Sequence, residues 1–262
     1  MRRERAPIWI AILAALGAAF FVVPLVGLVV RTPWGDALQS VTSTDTLQAL
    51  KLSLIASLSS TALSLVLGVP LAWVYARIDF PGRTVLRALT TLPMVLPPVV
   101  GGIALLLAFG RRGLLGSWLD AAFGITLPFT TAGVVFAETF VAMPFLVLTV
   151  EAGLRSMDRR YEDAARTLGA RRWTVFTRVT LPLIAPSLFA GAVLCWARAL
   201  GEFGATITFA GNFPGVTQTM PLAVYLLLET NHPEGSFILS LLLLLVSLAV
   251  LVGLRHRWLG SA

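Results

Sequence analysis

The sequence predicts an all-α membrane protein of six transmembrane helices with both termini in the cytoplasm. Three observations carry this reading. The chain has 262 residues, of which 57% are hydrophobic and only 13% charged. Its apolar stretches approach the roughly 20 residues needed to cross a bilayer core. Its arginines are placed lopsidedly along the chain. A soluble domain of this length carries about twice the charge.

The stretches cover about 8–30, 47–76, 88–108, 130–152, 183–210 and 236–254. The gaps are short, so residues 1–262 are expected to form a single transmembrane domain, with no soluble regulatory domain after it. Arg2, Arg3 and Arg5 precede the first stretch as in a signal peptide. Its apolar run outlasts the roughly 7–15 residues of a signal core, so it reads as a retained helix. The second and fifth stretches exceed what a bilayer requires and are expected to tilt or project. The third, LPMVLPPVVGGIALL, sets Pro93, Pro97 and Pro98 before Gly101 and Gly102. Prolines kink a helix and glycines let backbones approach, which suits a moving wall or ordinary bundle packing.

Net charge is +7, which in a soluble protein would suggest nucleic acid. Position decides otherwise. With the N-terminus inside, fifteen basic residues fall on inner segments and four (Arg31, Lys51, Arg111, Arg112) on outer ones. That bias orients the chain in the bilayer, and no nucleic-acid partner is expected. Cys195 is the only cysteine, so no disulfide forms within one chain. His232 and His256 fall on opposite sides, and no metal site is expected.

The fourth stretch carries Glu138; the fifth carries Arg198 and Glu202, four apart and therefore on one helix face. Gly201 and Gly204 thin the helix around Glu202. Charges inside a membrane are costly and should pair or face water. Two carboxylates near one guanidinium suggest a small ionic cluster, read either as a neutral brace or as a pivot lining a pore. Residues 219–229 carry a helical apolar pattern and are expected on the outer surface.

Residues 158–178 read as two short helices in an arginine-rich inner loop. Ala164 and Ala165 favour helix and add almost no bulk. Gly169 can end the first helix abruptly. Arg166, Arg171, Arg172 and Arg178 suit forked contacts with carboxylates, and Pro182 fits the first turn of the next helix. The spacing of Asp163, Ala164, Ala165, Gly169, Leu181 and Pro182 resembles the cytoplasmic coupling motif of ABC importer permeases. That family most often has Glu at the first position; here Asp163 stands there, with Glu162 just before it. The alternative is a basic amphipathic loop at the headgroups.

The resemblance extends to residues 198–222. Leu-Gly-Glu-Phe-Gly at 200–204, the Asn212-Phe213-Pro214-Gly215 turn and Thr217-Gln218-Thr219-Met220-Pro221-Leu222 look like molybdate permeases. Sulfate permeases share the first element and the double-proline span. The resemblance implies the type I ABC importer permease fold, a homodimer with one pore on its two-fold axis, in the plasma membrane of a prokaryote. It also implies a separate ATPase subunit, which binds ATP and magnesium, and an extracytoplasmic molybdate-binding protein. The coupling residues would be Glu162, Asp163, Ala164, Ala165, Gly169, Arg171, Arg172, Leu181 and Pro182. The pore or gate residues would be Pro97, Pro98, Arg198, Glu202, Thr206 and Thr208, with threonines 206, 208, 217 and 219 as donors to an oxyanion.

The chain itself carries no catalytic site and no cofactor on this reading. Lys51 is its single lysine and lies in no phosphate-cradling glycine loop. Alternatives within the class are tungstate and sulfate or thiosulfate. Outside it stand a secondary transporter, for which only Glu138 and Glu202 could serve, and a membrane enzyme, for which no clustered catalytic set exists.

Overall fold

The computed structural model describes residues 7–258, the side chains of 251 and 254–258 excepted. Arg2, Arg3 and Arg5 and the side chains of Arg255, His256 and Arg257 lie outside the described residues. Helix α1 (Ile8–Arg31) is apolar along its whole length and has no buried residue. A short α2 (Ala37–Thr42) leads into α3 (Thr44–Arg77), whose N-cap Ser43 accepts a hydrogen bond from Thr46 N. At 34 residues, α3 is about 51 Å long, well beyond a bilayer core of about 30 Å. Its last turn, with Tyr75 and Ala76 buried, ends in Arg77 at the arginine-rich end.

The expected third span, 88–108, is not one helix. An amphipathic α4 (Arg83–Thr91) runs through a 3₁₀ turn at Leu92–Met94, and α5 (Pro98–Phe109) follows at 119° to it. Proline chemistry makes the break. A residue before proline is driven out of the helical region, and Pro97, preceding Pro98, sits at ψ 130°. Pro98 then opens α5, where its missing N–H costs nothing. After α6 (Gly116–Phe123), α7 (Thr131–Ser156) returns to the arginine-rich end.

The loop folds as α8 (Arg160–Thr167), α9 (Arg172–Val175), a π-turn at Phe176–Thr180 and α10 (Leu181–Leu183). The fifth span, expected over 183–210, is also divided. Its first part, α11 (Ala185–Leu200), lies at 73° to Arg172–Leu183, and α12 (Gly204–Ala210) follows a break at residues 201–203. A hairpin of α13 (Met220–Glu229) and α14 (Pro233–Trp258) closes the chain. Among the described residues four helices are long and apolar enough to cross a membrane, or six if each bent pair counts as one span.

The core is the bundle of α3, α7 and α11. Ala49, Ser53, Ala56, Ser60, Ser64, Gly68 and Ala72 form one slim, buried face of α3. Small residues at such spacing let helices approach within a membrane, where packing rather than water exclusion holds them. A Cβ on Gly68 would meet Val147 and Leu146 at 3.1 and 3.2 Å. The first turn of α13 is buried against α3, with Met220, Ala223, Ala49 and Leu239 in one cluster. The first turn of this helix therefore belongs to the bundle, while Tyr225, Leu226 and Leu228 further along it are exposed.

Candidate functional site: the arginine-rich loop and the membrane break

Glu162 and Asp163 are adjacent in sequence and opposite in environment. Glu162 is 4% exposed; its Oε1 accepts from Thr180 Oγ1 at 2.8 Å, and its Oε2 lies 3.4 Å from Arg77 Nε. It ties α8 to the end of α3 and to the π-turn. Asp163 faces outward and, among the described residues, pairs with Arg166 alone, at 3.4 Å. Ala164 is exposed and Ala165 half-buried. Tyr161, Leu168 and Trp173 are exposed by 58%, 88% and 74%, a large apolar display for a polar loop.

Gly169 ends α8 as its position in the sequence suggests. Its φ is +80°; its N–H bonds Arg166 O at 2.9 Å, and Ala170 N–H bonds Ala165 O at 3.1 Å. These two reversed bonds satisfy the last carbonyls of the helix. A Cβ on Gly169 would have no neighbour within 4 Å, so its requirement is conformational rather than steric. Arg171 and Arg172 are exposed at the start of α9. Arg172, with Arg166, Trp73, Phe176, Val175, Glu162 and Thr180, lines a cavity of about 370 Å³. Pro182 would clash with the carbonyl four residues back in a regular helix, and the π-turn before it widens the ladder there. Leu181 and Pro182 belong to α10, ahead of the bend into α11.

Other arginines of this end, which in the sequence signal orientation alone, have structural partners. Arg155 Nη2 and Arg159 Nη2 donate to the carbonyls of Tyr75 and Ala76, each at 3.2 Å, capping the C-terminus of α3. Glu151, 1% exposed, is held by Arg155 at 2.8 Å and by Arg87 of α4 at 3.0 Å. Tyr75 Oη and Thr90 Oγ1, 2.7 Å apart, fasten α4 a second time. Acidic residues in apolar stretches were the available signal for Glu151.

At the membrane break, Arg198 Nη2 lies 2.6 Å from Glu202 Oε2. Glu202 Oε1 accepts from Ala205 N at 2.8 Å, so the same carboxylate caps α12. Glu138 does not join through Arg198: it forms no ion pair among the described residues, and its Oε2 has no hydrogen-bond partner. The expected three-member ionic cluster is thus a pair with a carboxyl group beside it.

The threonines named as donors to an oxyanion sit in different surroundings. Thr206 is enclosed, Thr217 accepts from Phe213 N, Thr219 is 1% exposed, and Thr208 donates to Gly204 O. Pro97 and Pro98 are exposed. Of the glycines beside Glu202, Gly204 makes the close approach: its Cβ would lie 2.9 Å from Pro98 Cβ, whereas at Gly201 the nearest atom is 3.6 Å away.

The family described as "Binding-protein-dependent transport system inner membrane component" matches residues 64–259. The chain is 49% identical over 253 residues to the molybdenum transport system permease protein ModB of Mycobacterium tuberculosis, covering 96% of this chain and 94% of that one. To ModB of Escherichia coli K12 it is 45% identical, covering 81% and 93%. To the sulfate transport system permease protein CysT of the same strain it is 39% identical, covering 80% and 76%. Among solved structures, a bacterial ABC transporter that imports alginate shares the fold at TM-score 0.75 and 19% identity, covering 97% and 96%. By the family match over residues 64–259 and the 49% identity across nearly its whole length, the chain belongs to the family of binding-protein-dependent transport system inner membrane components.

Proposed function

We propose that this chain is the membrane-spanning permease subunit of an ATP-driven molybdate importer, and that a separate ATPase grips it at residues 160–182. The observation that carries the coupling role is the division of labour in α8. Glu162 fixes the helix to α3 and the π-turn from behind, while Asp163, Ala164 and Leu168 face outward. A segment held that firmly passes a push on to the bundle instead of absorbing it.

Two copies work together on this reading. The buried face of α5 is Gly101, Gly102 and Leu105; its other face exposes Val99, Val100, Ile103 and Leu107. A second copy can meet that face, and Pro97 and Pro98 then lie beside the pathway. Molybdate is favoured over sulfate because identity is higher to the molybdenum permeases than to the sulfate permease, 49% against 39%. Burial of Thr206, Thr217 and Thr219 supports selection by an extracytoplasmic binding protein rather than by this chain, since weak contact lets cargo pass.

The test is uptake of labelled molybdate into vesicles holding this chain, its ATPase and its binding protein. Uptake should require ATP and all three proteins, and excess sulfate should compete poorly. Uptake by this chain alone on an ion gradient would favour a secondary transporter; strong competition by sulfate would reassign the cargo.

A further inference from the structure

Among the described residues four carboxylates are shut inside the protein: Glu138, Glu151, Glu162 and Glu202, none more than 4% exposed. Three of them have a guanidinium within 3.4 Å: Arg87 and Arg155 for Glu151, Arg77 for Glu162 and Arg198 for Glu202. Glu138 is the exception. It forms no ion pair among the described residues, and its Oε2 is buried without a hydrogen-bond partner.

The surroundings of Glu138 offer no cation to spare. On α3, the nearby face presents only the hydroxyls of Ser60, Thr61 and Ser64. From α5 and α12 come Leu105, Ala205 and Phe209, packed on its neighbours Ala137 and Val141. From α11 come the Cys195 thiol and Arg198, the latter already committed to Glu202. Glu202 holds the N–H of Ala205, and Ala205 shares a buried cluster with Ala137, the residue before Glu138. Two ionised carboxylates with one guanidinium would leave a bare negative charge inside a membrane span, which such a site does not sustain. Glu202 Oε2 lies 2.6 Å from Arg198 but without hydrogen-bond alignment, so it retains acceptor capacity.

We propose that Glu138 is a positioning residue for the break between α11 and α12: it carries a proton, which it donates toward the Glu202 carboxylate, so that Glu138, Glu202 and Arg198 together are neutral. The acid then ties α7 to the residue whose other oxygen caps α12. The break is thereby held in register with the α3–α7 core, without a net charge that would draw water into the bundle.

The experiment uses the complex in lipid, with the unchanged chain, Glu138→Gln and Glu138→Leu compared. Infrared spectra at neutral pH should show a protonated carboxyl band that Glu138→Gln lacks. Glu138→Gln keeps a donor without charge and should retain uptake within about twofold, whereas Glu138→Leu should lose about tenfold or more. Raising the pH until the band bleaches should slow the unchanged chain and spare Glu138→Gln. An unchanged carboxyl band in Glu138→Gln would overturn the proposal, as would a Gln variant as impaired as the Leu variant. If Glu138→Leu fails to assemble, the Gln variant and the band decide alone. Absence of uptake by the unchanged chain would count against the transport reading and leave the infrared result standing.

Discussion

Arg77 and Glu162, 85 residues apart in sequence, meet at 3.4 Å with side chains only 7% and 5% exposed. The pair joins the last turn of α3 to the first turn of α8. Removing one partner strands the other as a buried charge, which costs about 3–5 kcal/mol. Glu162→Ala should therefore loosen the loop, seen as faster proteolysis near residues 157–172 and ATP hydrolysis without uptake. Asp163→Ala, at an exposed pair, should change stability by less than about 1 kcal/mol. Equal protease resistance in the two variants would remove Glu162 from the anchoring role.

Gly169 makes a different demand. Its φ of +80° costs a residue with a side chain about 1–2 kcal/mol, while open space around it accepts bulk. Gly169→Asn should be tolerated better than Gly169→Val, because Asn visits this conformation more readily. Uptake per ATP hydrolysed is the measurement, with insertion checked by membrane yield. If Asn and Val proved equally harmful, contact with a partner rather than backbone conformation would set the requirement.

How far the sequence reveals these features depends on the range of the interaction. The end of α8 is legible because Gly169 and the alanines act within one turn. The apolar α1 and the long α3 follow from composition. The division of the third span is half legible: Pro97 and Pro98 announce a kink, but the 119° bend arises because α4 lies across the bundle end, held by Arg87 and Tyr75. The break at residues 201–203 is hidden because an Arg and a Glu four apart read as one continuous helix face. Only the Glu202 bond to Ala205 N exposes it. Arg77, Arg87, Arg155 and Arg159 look alike in sequence, and apart from the Arg155 bond to Glu151 four residues back, their partners lie far along the chain.

The ties of α4 to the core are separable. Arg87 and Arg155 are partly exposed, with side chains 44% and 43% accessible, so water can take over when Glu151 is lost. Glu151→Leu should cost about 1–2 kcal/mol, less than Glu162→Ala. Tyr75→Phe, which removes the bond to Thr90, should cost about 1 kcal/mol. Both act on one helix, so the double variant should be non-additive by at least about 0.5 kcal/mol in thermal unfolding of the purified chain. Strict additivity would mean that α4 is held elsewhere.

The half-helices α5 and α12 begin immediately after the two breaks and touch backbone to backbone. A Cβ on Gly102 would lie 2.7 Å from Thr208 Cβ and 2.9 Å from Ala205 O; one on Gly204 would lie 3.1 Å from Val99 N. Two reciprocal glycines weld the pair into one body, so motion at Pro97 must be matched by motion at Glu202. Gly102→Val forces the helices apart at about 1–3 kcal/mol and should lower uptake while ATP hydrolysis persists. Gly201→Ala is the control: its nearest neighbour would be 3.6 Å away and its φ is an ordinary −91°. Normal uptake in Gly102→Val would show that the two half-helices can separate without consequence. A cysteine pair placed across the seam distinguishes the remaining cases: if the two move together, cross-linking leaves transport intact, and if they slide past each other, it stops transport.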